Sequence, residues 1–460
     1  MDTKLPVGWV LLLIVALITV CTPGEADSPG SKANSPSRPR GPAIKWDEKI
    51  EVASGDAFRG PWRMNKSKFN FVDDPTVAIN KQGYVGVAWA DHPKLDVYFQ
   101  LYAPDGEAQL EEPVNVSASP NIFSWLPRMV ITSDHPMKVY LLWQEIVFSG
   151  GSHGGEIFFA RSTDGGKSFR GSVNLSNTTA GDGKGRLTAR IWHNGSLDLA
   201  MSPHGNLYAA WTEYEGPLWF SRSTDGGESF SDPLRIAGGN DTNPARGPSL
   251  AVDDDGTIYL AWTVGEERAA DIRFAKSDDD GRSFREPQIV FESGGHADAP
   301  KLAVDGNGTV HLVYAESAAG PFRRYHVRYT RLIDGANTFE EPRKIAGPHA
   351  EQFESVSFPA LSLDGKGRLY VIWELFPNRR GQPRGLGLTY SSDGGETFAS
   401  PSIVPGTADP AFGFNGSQQG LLMRKLAVNE VGAIAVVNST FKANETSRIR
   451  LFRGRATERR

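Results

Sequence analysis

The chain has 460 residues, 39% of them hydrophobic and 22% charged, with 50 glycines and 30 prolines. A globular chain of this size buries a sizeable core, and so much glycine and proline points to many turns. The formal net charge of −5 comes without a basic block, which argues against nucleic acid as a partner. The single cysteine, Cys21, excludes an intrachain disulfide.

Residues 9–20 form a compact apolar run behind Lys4. It is shorter than the roughly 20 residues of a membrane-spanning helix and has the size of a signal-peptide core. Cys21 closes the run, and Ile18-Thr19-Val20-Cys21 resembles a bacterial lipobox, except that Val20 stands where a small residue is expected. Two processing schemes lead, cleavage before Cys21 with a lipid on that cysteine or ordinary cleavage after Ala26, with an uncleaved anchor a distant third. All three place the rest outside the cytoplasm, and the two leading schemes make 1–26 a targeting segment, with membrane contact only through a lipid anchor on Cys21. Residues 27–43, rich in Ser, Pro and Gly, have little to bury and read as a disordered linker.

From 44 to 460 the chain repeats with a period of roughly 50–70 residues. Each unit opens on a strand, often at a proline: 75–80, 127–132, 197–202, 248–253, 300–305, 359–364 and 424–429. A tight turn follows, such as Asp305-Gly306-Asn307-Gly308, which is hairpin chemistry. The second strand ends on a large side chain, Trp89, Trp143, Trp211, Trp262, Tyr314 or Trp373, with Val437 in that place in the last unit. A loop of variable length leads to a third strand, which runs into a recurrent turn. The turn reads Ser-Thr-Asp-Gly-Gly-Lys-Ser-Phe at 162–169 and Ser-Thr-Asp-Gly-Gly-Glu-Ser-Phe at 223–230. At 277–284 it is Ser-Asp-Asp-Asp-Gly-Arg-Ser-Phe, and at 391–398 Ser-Ser-Asp-Gly-Gly-Glu-Thr-Phe, with weaker copies at Asp105-Gly106 and 334–339. The Asp accepts backbone N–H bonds, glycine supplies the positive φ, and the Phe plugs the turn into the core. Asp164, Asp225, Asp279 and Asp393 are therefore structural. A fourth, outer strand, such as 233–236 or 287–291, completes the unit.

Seven units can be counted. The last lacks an outer strand after 450–453, whereas 46–55 looks like an outer strand without a unit. These observations predict an all-β, seven-bladed β-propeller of four-stranded blades, the last blade closed by the N-terminal strand. A six-bladed ring with one irregular unit is the alternative.

The frame Ser-x-Asp-x-Gly-x-Ser/Thr-Phe resembles the Asp box, or BNR repeat, of the sialidase superfamily. The resemblance implies a propeller that recognises sugars, although sialidases typically have six blades. It also implies three arginines clamping a sugar carboxylate, an Asp acid/base, and a Tyr nucleophile assisted by a Glu. The Arg-Ile-Pro that usually marks the first arginine is missing; Arg59 and Arg63 lie in the right region without it.

In such a blade the recurrent turns fall on one face and the long variable loops on the other, so the loop face is where chemistry is expected. Arg128, Arg246 and Arg424 stand at or just before the first strands of three units and suit carboxylate binding. Asp298, with His296 nearby, precedes another such strand and is an acid candidate; Asp73 and Asp74 occupy the matching place in the first unit. In Glu213-Tyr214-Glu215, an extended backbone points both glutamates to one side about 6–7 Å apart. Paired glycosidase carboxyls fall in or near that range. The candidates are thus Asp298, Glu213, Tyr214 and Glu215 for catalysis, and Arg128, Arg246, Arg424, His296 and Asp74 for substrate binding. Gly150-Gly151-Ser152-His153-Gly154 matches a nucleophile elbow by letter only, since nothing helical follows it. No cofactor and no metal is called for; the Asp-rich turns lack calcium-loop spacing. Two functional readings remain. One is a sialidase-like glycoside hydrolase acting on terminal sugars of extracellular glycans. The other is a non-catalytic exported propeller that binds a glycan, peptide or partner protein.

Overall fold

The computed structural model describes residues 43–457 except 62, 64, 147–154, 177–195, 213–215, 239–243, 266–269, 322, 349–351, 380 and 417–422. The targeting segment with Cys21, the linker up to residue 42, the 150–154 stretch and the Glu213–Tyr214–Glu215 cluster lie outside the described residues.

Seven antiparallel sheets form a propeller ring. Blade 1 comprises Val72–Ile79, Val85–Asp91, Asp96–Tyr102 and Val114–Asn115, from inner to outer strand. The inner strands of blades 2 to 6 are Ser124–Ile131, Leu197–Met201, Ala245–Val252, His296–Val304 and Ser355–Leu363. Blade 7 is built on Leu426–Val428, Ala433–Lys442 and Thr446–Thr457. Each inner strand lies beside the next, and that of blade 7 lies beside that of blade 1. The ring therefore has seven blades rather than six. Middle strands such as Val139–Glu145 and Leu207–Thr212 are buried at every position because a neighbouring blade covers each face. The tryptophans that mark the second strands, Trp143, Trp211, Trp262 and Trp373, are among the largest fully buried side chains.

The seam is closed as the sequence predicts. Both Ala43–Trp46 and Ile50–Gly55 pair antiparallel with Thr446–Thr457, with a register shift between Glu51 and Ala53. Ile50, Val52 and Ala53 then pack on a core shared by Val85, Val437 and Leu451.

The recurrent turns are built alike. In one of them the Ser223 hydroxyl donates to Asp225 Oδ1 at 2.7 Å and accepts from the Gly227 N–H. The Ser229 N–H and hydroxyl donate to the two Asp225 oxygens at 3.0 and 2.6 Å. Asp164, Asp279 and Asp393 repeat the pattern. The turns also join neighbouring blades. Phe169, Phe230, Phe284, Phe339 and Phe398 pack edge-on against Phe99, Phe159, Phe220, Phe274 and Tyr329 of the preceding blade's third strand. Arginines on the third strands reach the turn of the following blade, Arg161 to the Gly226 carbonyl, Arg222 to Asp280 and Arg331 to the Gly394 carbonyl. Arg453 does the same across the seam, donating to the Pro104 carbonyl at 2.9 Å.

One local feature departs from the sequence reading. Inner strands begin three or four residues before the prolines that were read as their starts, and the residue before proline sits in a bulge. Asp74, Leu126, Gly247, Ala299 and Phe358 all have φ between 50° and 61° there. An L-residue at positive φ ahead of proline is strained, and blade 4 meets the need with Gly247. The bulges sit at the ends of the inner strands where the blade-to-blade loops arrive, opposite the recurrent turns.

Candidate functional site at the axial mouth

The bulged strand heads carry charge that an otherwise apolar strand does not need. Arg128 follows Pro127 in blade 2, Lys301 follows Pro300 in blade 5, and Asp198 opposes Ala210 at the same level of blade 3. Arg424 Nη2 donates to Asp198 Oδ1 at 2.9 Å, and Arg128 Nε lies 4.0 Å from the same oxygen. Blades 3 and 7 are not neighbours, so Asp198 and Arg424 meet across the central channel. Arg128 also spans it, with Nη1 donating to the Met423 sulfur at 2.7 Å and to the Pro127 carbonyl. Lys425, buried, pairs with Glu374 Oε1 at 2.5 Å, while Asn415 donates to Glu374 Oε2.

Electrostatics grade this cluster. Burial pulls the Arg128 guanidinium down to about 10 and the Lys301 amine to about 8, and Asp198 opposes both shifts. Burial and the adjacent Asp73 push the Asp74 carboxyl well above its usual range, against the pull of Arg128 and Lys425. Arg424 keeps 32% of its side chain exposed and Arg128 only 3%, so Arg424 is the more reachable of the two.

A second group forms where blades 4 and 5 meet. Arg246 Nε donates to Asp298 Oδ1 at 3.3 Å, its Nη2 lies 3.1 Å from His296 Nε2, and its Nη1 reaches the Gly265 carbonyl. Thr263 and the Ala299 N–H also donate to Asp298 Oδ1. Arginine has donors only, so in this pair the His296 Nε2 is the acceptor. The ring meets Tyr325 edge-on at 6.2 Å. Burial opposes ionisation of Asp298, but the Arg246 guanidinium, with the Ala299 N–H, outweighs it and holds the carboxyl well below the usual range. Asp298 is thus a carboxylate, not the desolvated acid that its strand-head position suggests. With 27% of its side chain exposed it borders open space, while His296 is buried beneath it.

The structure accordingly brings Arg246, His296 and Asp298 into one group, and Arg128 and Arg424 into another with Asp74 close to Arg128. Glu213, Tyr214 and Glu215 are among the residues not described. Asp198, Lys301, Lys425 and Glu374 were missed by sequence reasoning. The available signal was a charged residue directly after a strand-head proline, as in Pro300-Lys301, or inside an apolar alternation, as in Leu197-Asp198-Leu199.

No family model and no curated protein matches the chain. Solved structures are similar in fold. A PL25 ulvan lyase bound to -[GlcA(1-4)Rha3S]- gives a TM-score of 0.55 at 13% identity, over 87% of this chain and 95% of that one. The polysaccharide lyase Uly1 gives 0.54 at 13% identity, over 90% of this chain and all 100% of the other. A Hadza microbial sialidase, Hz136, gives 0.45 at 13% identity, over 88% and 91%.

Proposed function

We propose that the chain is an exported carbohydrate-active propeller whose axial mouth takes a sugar bearing a carboxylate. The observation that carries this reading is the Arg246–His296–Asp298 group, a guanidinium and an imidazole 3.1 Å apart at the heads of two rigid strands. A guanidinium is the natural partner of a planar carboxylate. When Arg246 turns to a substrate carboxylate it releases His296 Nε2, which then accepts a proton from the carbon beside that carboxylate. Asp298 compensates the charge that develops on the imidazole. The electrons of that C–H bond form a C4–C5 double bond as the C4–O bond to the departing sugar breaks, and the departing oxygen takes its proton from water. This is β-elimination from a uronic acid, and solved lyases of the same fold act on an acidic polysaccharide.

Exo-sialidase hydrolysis, the chemistry implied by the resemblance of the recurrent turns, needs an acid at the mouth. Asp298 is held as a carboxylate and Asp74 is fully enclosed, so neither offers an acid to a substrate at the mouth, whereas elimination can draw its leaving-group proton from water and fits the described residues better. The test is an incubation with a panel of uronate polysaccharides and a fluorogenic sialoside. Elimination releases unsaturated uronate seen by its ultraviolet absorbance; hydrolysis releases free sialic acid. His296→Gln is expected to lower turnover of the uronate polymer by about 100-fold or more at unchanged melting temperature, and Arg246→Lys to raise KM. Sialic acid release without unsaturated product would replace elimination by hydrolysis. Absence of both products, with polymer binding indifferent to Arg246→Lys, would remove the reading.

A further inference from the structure

On the loop face at the seam, apart from the Arg246 group, lies a cavity of about 360 Å³ with no role in the chemistry above. Its volume is at the small end of the ~300–1,000 Å³ typical of small-molecule sites. Arg59, Lys442, Phe71, Phe414, Phe441 and Gln382 line it, with glycines between them. Among the described residues the lining contains two cations and no carboxylate. Lys442 is engaged by Glu445 at 2.6 Å, and Asp73 lies behind Gly416. Arg59 is exposed and has neither ion pair nor hydrogen-bonded side-chain partner among the described residues; its guanidinium rests 5.7 Å from the centre of the Phe69 ring. Arg384 adds a third cation, 6.0 Å from the ring centre of Phe414, with its buried Nε lacking a hydrogen-bond partner among the described residues.

The aromatic side is equally specific. Phe414 is 41% exposed although it lines the cavity, while Phe441 and Phe71 form an edge-on pair at 5.3 Å beneath. The loop comes this close because of Gly413, at φ 82°, where an added Cβ would lie 2.2 Å from the Phe441 carbonyl oxygen. An exposed ring flanked by uncommitted guanidinium groups suits a ligand with an apolar ring face and an anionic substituent. We infer that the seam cavity is a second sugar-binding site, taking one anionic sugar residue with its ring on Phe414 and its carboxylate or sulfate on Arg59 and Lys442.

The inference extends the acidic-sugar reading to a separate site, and it is tested by binding alone, so that failure at the mouth and failure here are distinguishable. Isothermal titration of the full chain with D-glucuronate, a galactose sulfate, glucose and inorganic phosphate supplies the probes, using wild type, Arg59→Ala, Arg59→Lys and Lys442→Ala. Saturable binding of glucuronate or the sulfated sugar is expected, weakened about tenfold by Arg59→Ala and less by Arg59→Lys. A response to one of these sugars alone assigns the anion as carboxylate or sulfate. Affinity for anionic sugars unaffected by both alanine variants overturns the proposal. So does glucose binding as tightly as the anionic sugars, or phosphate reproducing the whole effect.

Discussion

His92 sits in an aromatic cage, its ring 4.1 Å from that of Phe71 and 5.0 Å from that of Phe123, and neither ring nitrogen has a hydrogen-bond partner among the described residues. Burial lowers its pKa to about 4, against the pull of Asp73 and with help from Arg59. In the unfolded chain the same side chain takes up its proton near pH 6.5. Between those values the unfolded state binds the extra proton, so stability falls as pH drops from about 6.5 towards 4 and this contribution is constant below. His326, lowered to about 4 by burial and by Lys344, acts in the same window. Replacing His92 by Phe keeps a planar ring in the cage and removes one proton uptake. The fall in melting temperature between about pH 7 and about pH 4.5 should therefore be smaller in His92→Phe than in the wild type. An equal fall would locate the acid sensitivity elsewhere.

At the level of single elements, the recurrent turn separates two glycines that look interchangeable. Gly226 and Gly227 both have positive φ, 70° and 82°. A Cβ on Gly226 meets nothing closer than the Tyr140 hydroxyl at 3.7 Å, whereas on Gly227 it would lie 2.7 Å from the Phe159 ring of the preceding blade. Gly226→Ala should cost only the left-handed strain of about 1–2 kcal/mol. Gly227→Ala adds overpacking of roughly 1–3 kcal/mol, because the ring behind it is itself held by Phe230. Chemical denaturation of the two variants checks the difference; equal costs would mean that the turn does not brace the neighbouring blade. These turns were legible in the sequence because their bonds are local, Ser223 to Ser229 spanning seven residues. The strand-head bulges were not. Proline normally pushes its predecessor to extended backbone, so nothing in Ala299-Pro300 or Phe358-Pro359 announces a positive φ, and the strands were read as starting too late.

For the molecule as a whole, what the repeat makes legible is the number of blades and the register within each. The axial charges escape it, because Arg424 and Asp198 are 226 residues apart and meet only once the ring has closed. Periodicity tells which positions look inward, not which blades' side chains face each other. The seam is the exception, since a missing outer strand at one end and a surplus strand at the other can be matched in the sequence itself. Everything at the mouth depends on that match. Without 43–55, Thr446–Thr457 becomes a twelve-residue edge strand with unpaired backbone groups. The apolar side chains now covered by Ile44, Trp46, Ile50 and Val52 would then face water. Each remaining blade still grips the next through its turn, so the loss is concentrated at blade 7 and spreads to the Arg424 and Lys425 that it positions. Deleting 43–55 from the full chain should give a lower, broader melt and, on size exclusion, self-association beyond the wild type through the exposed edge, whereas Arg453→Ala, which removes the side-chain bonds to Pro104 and Asp47, should elute as the wild type does. A deleted chain that elutes and melts as the wild type does would mean that the ring holds closed without its leading strands, and that the inner strands of blades 7 and 1 suffice to fix the mouth.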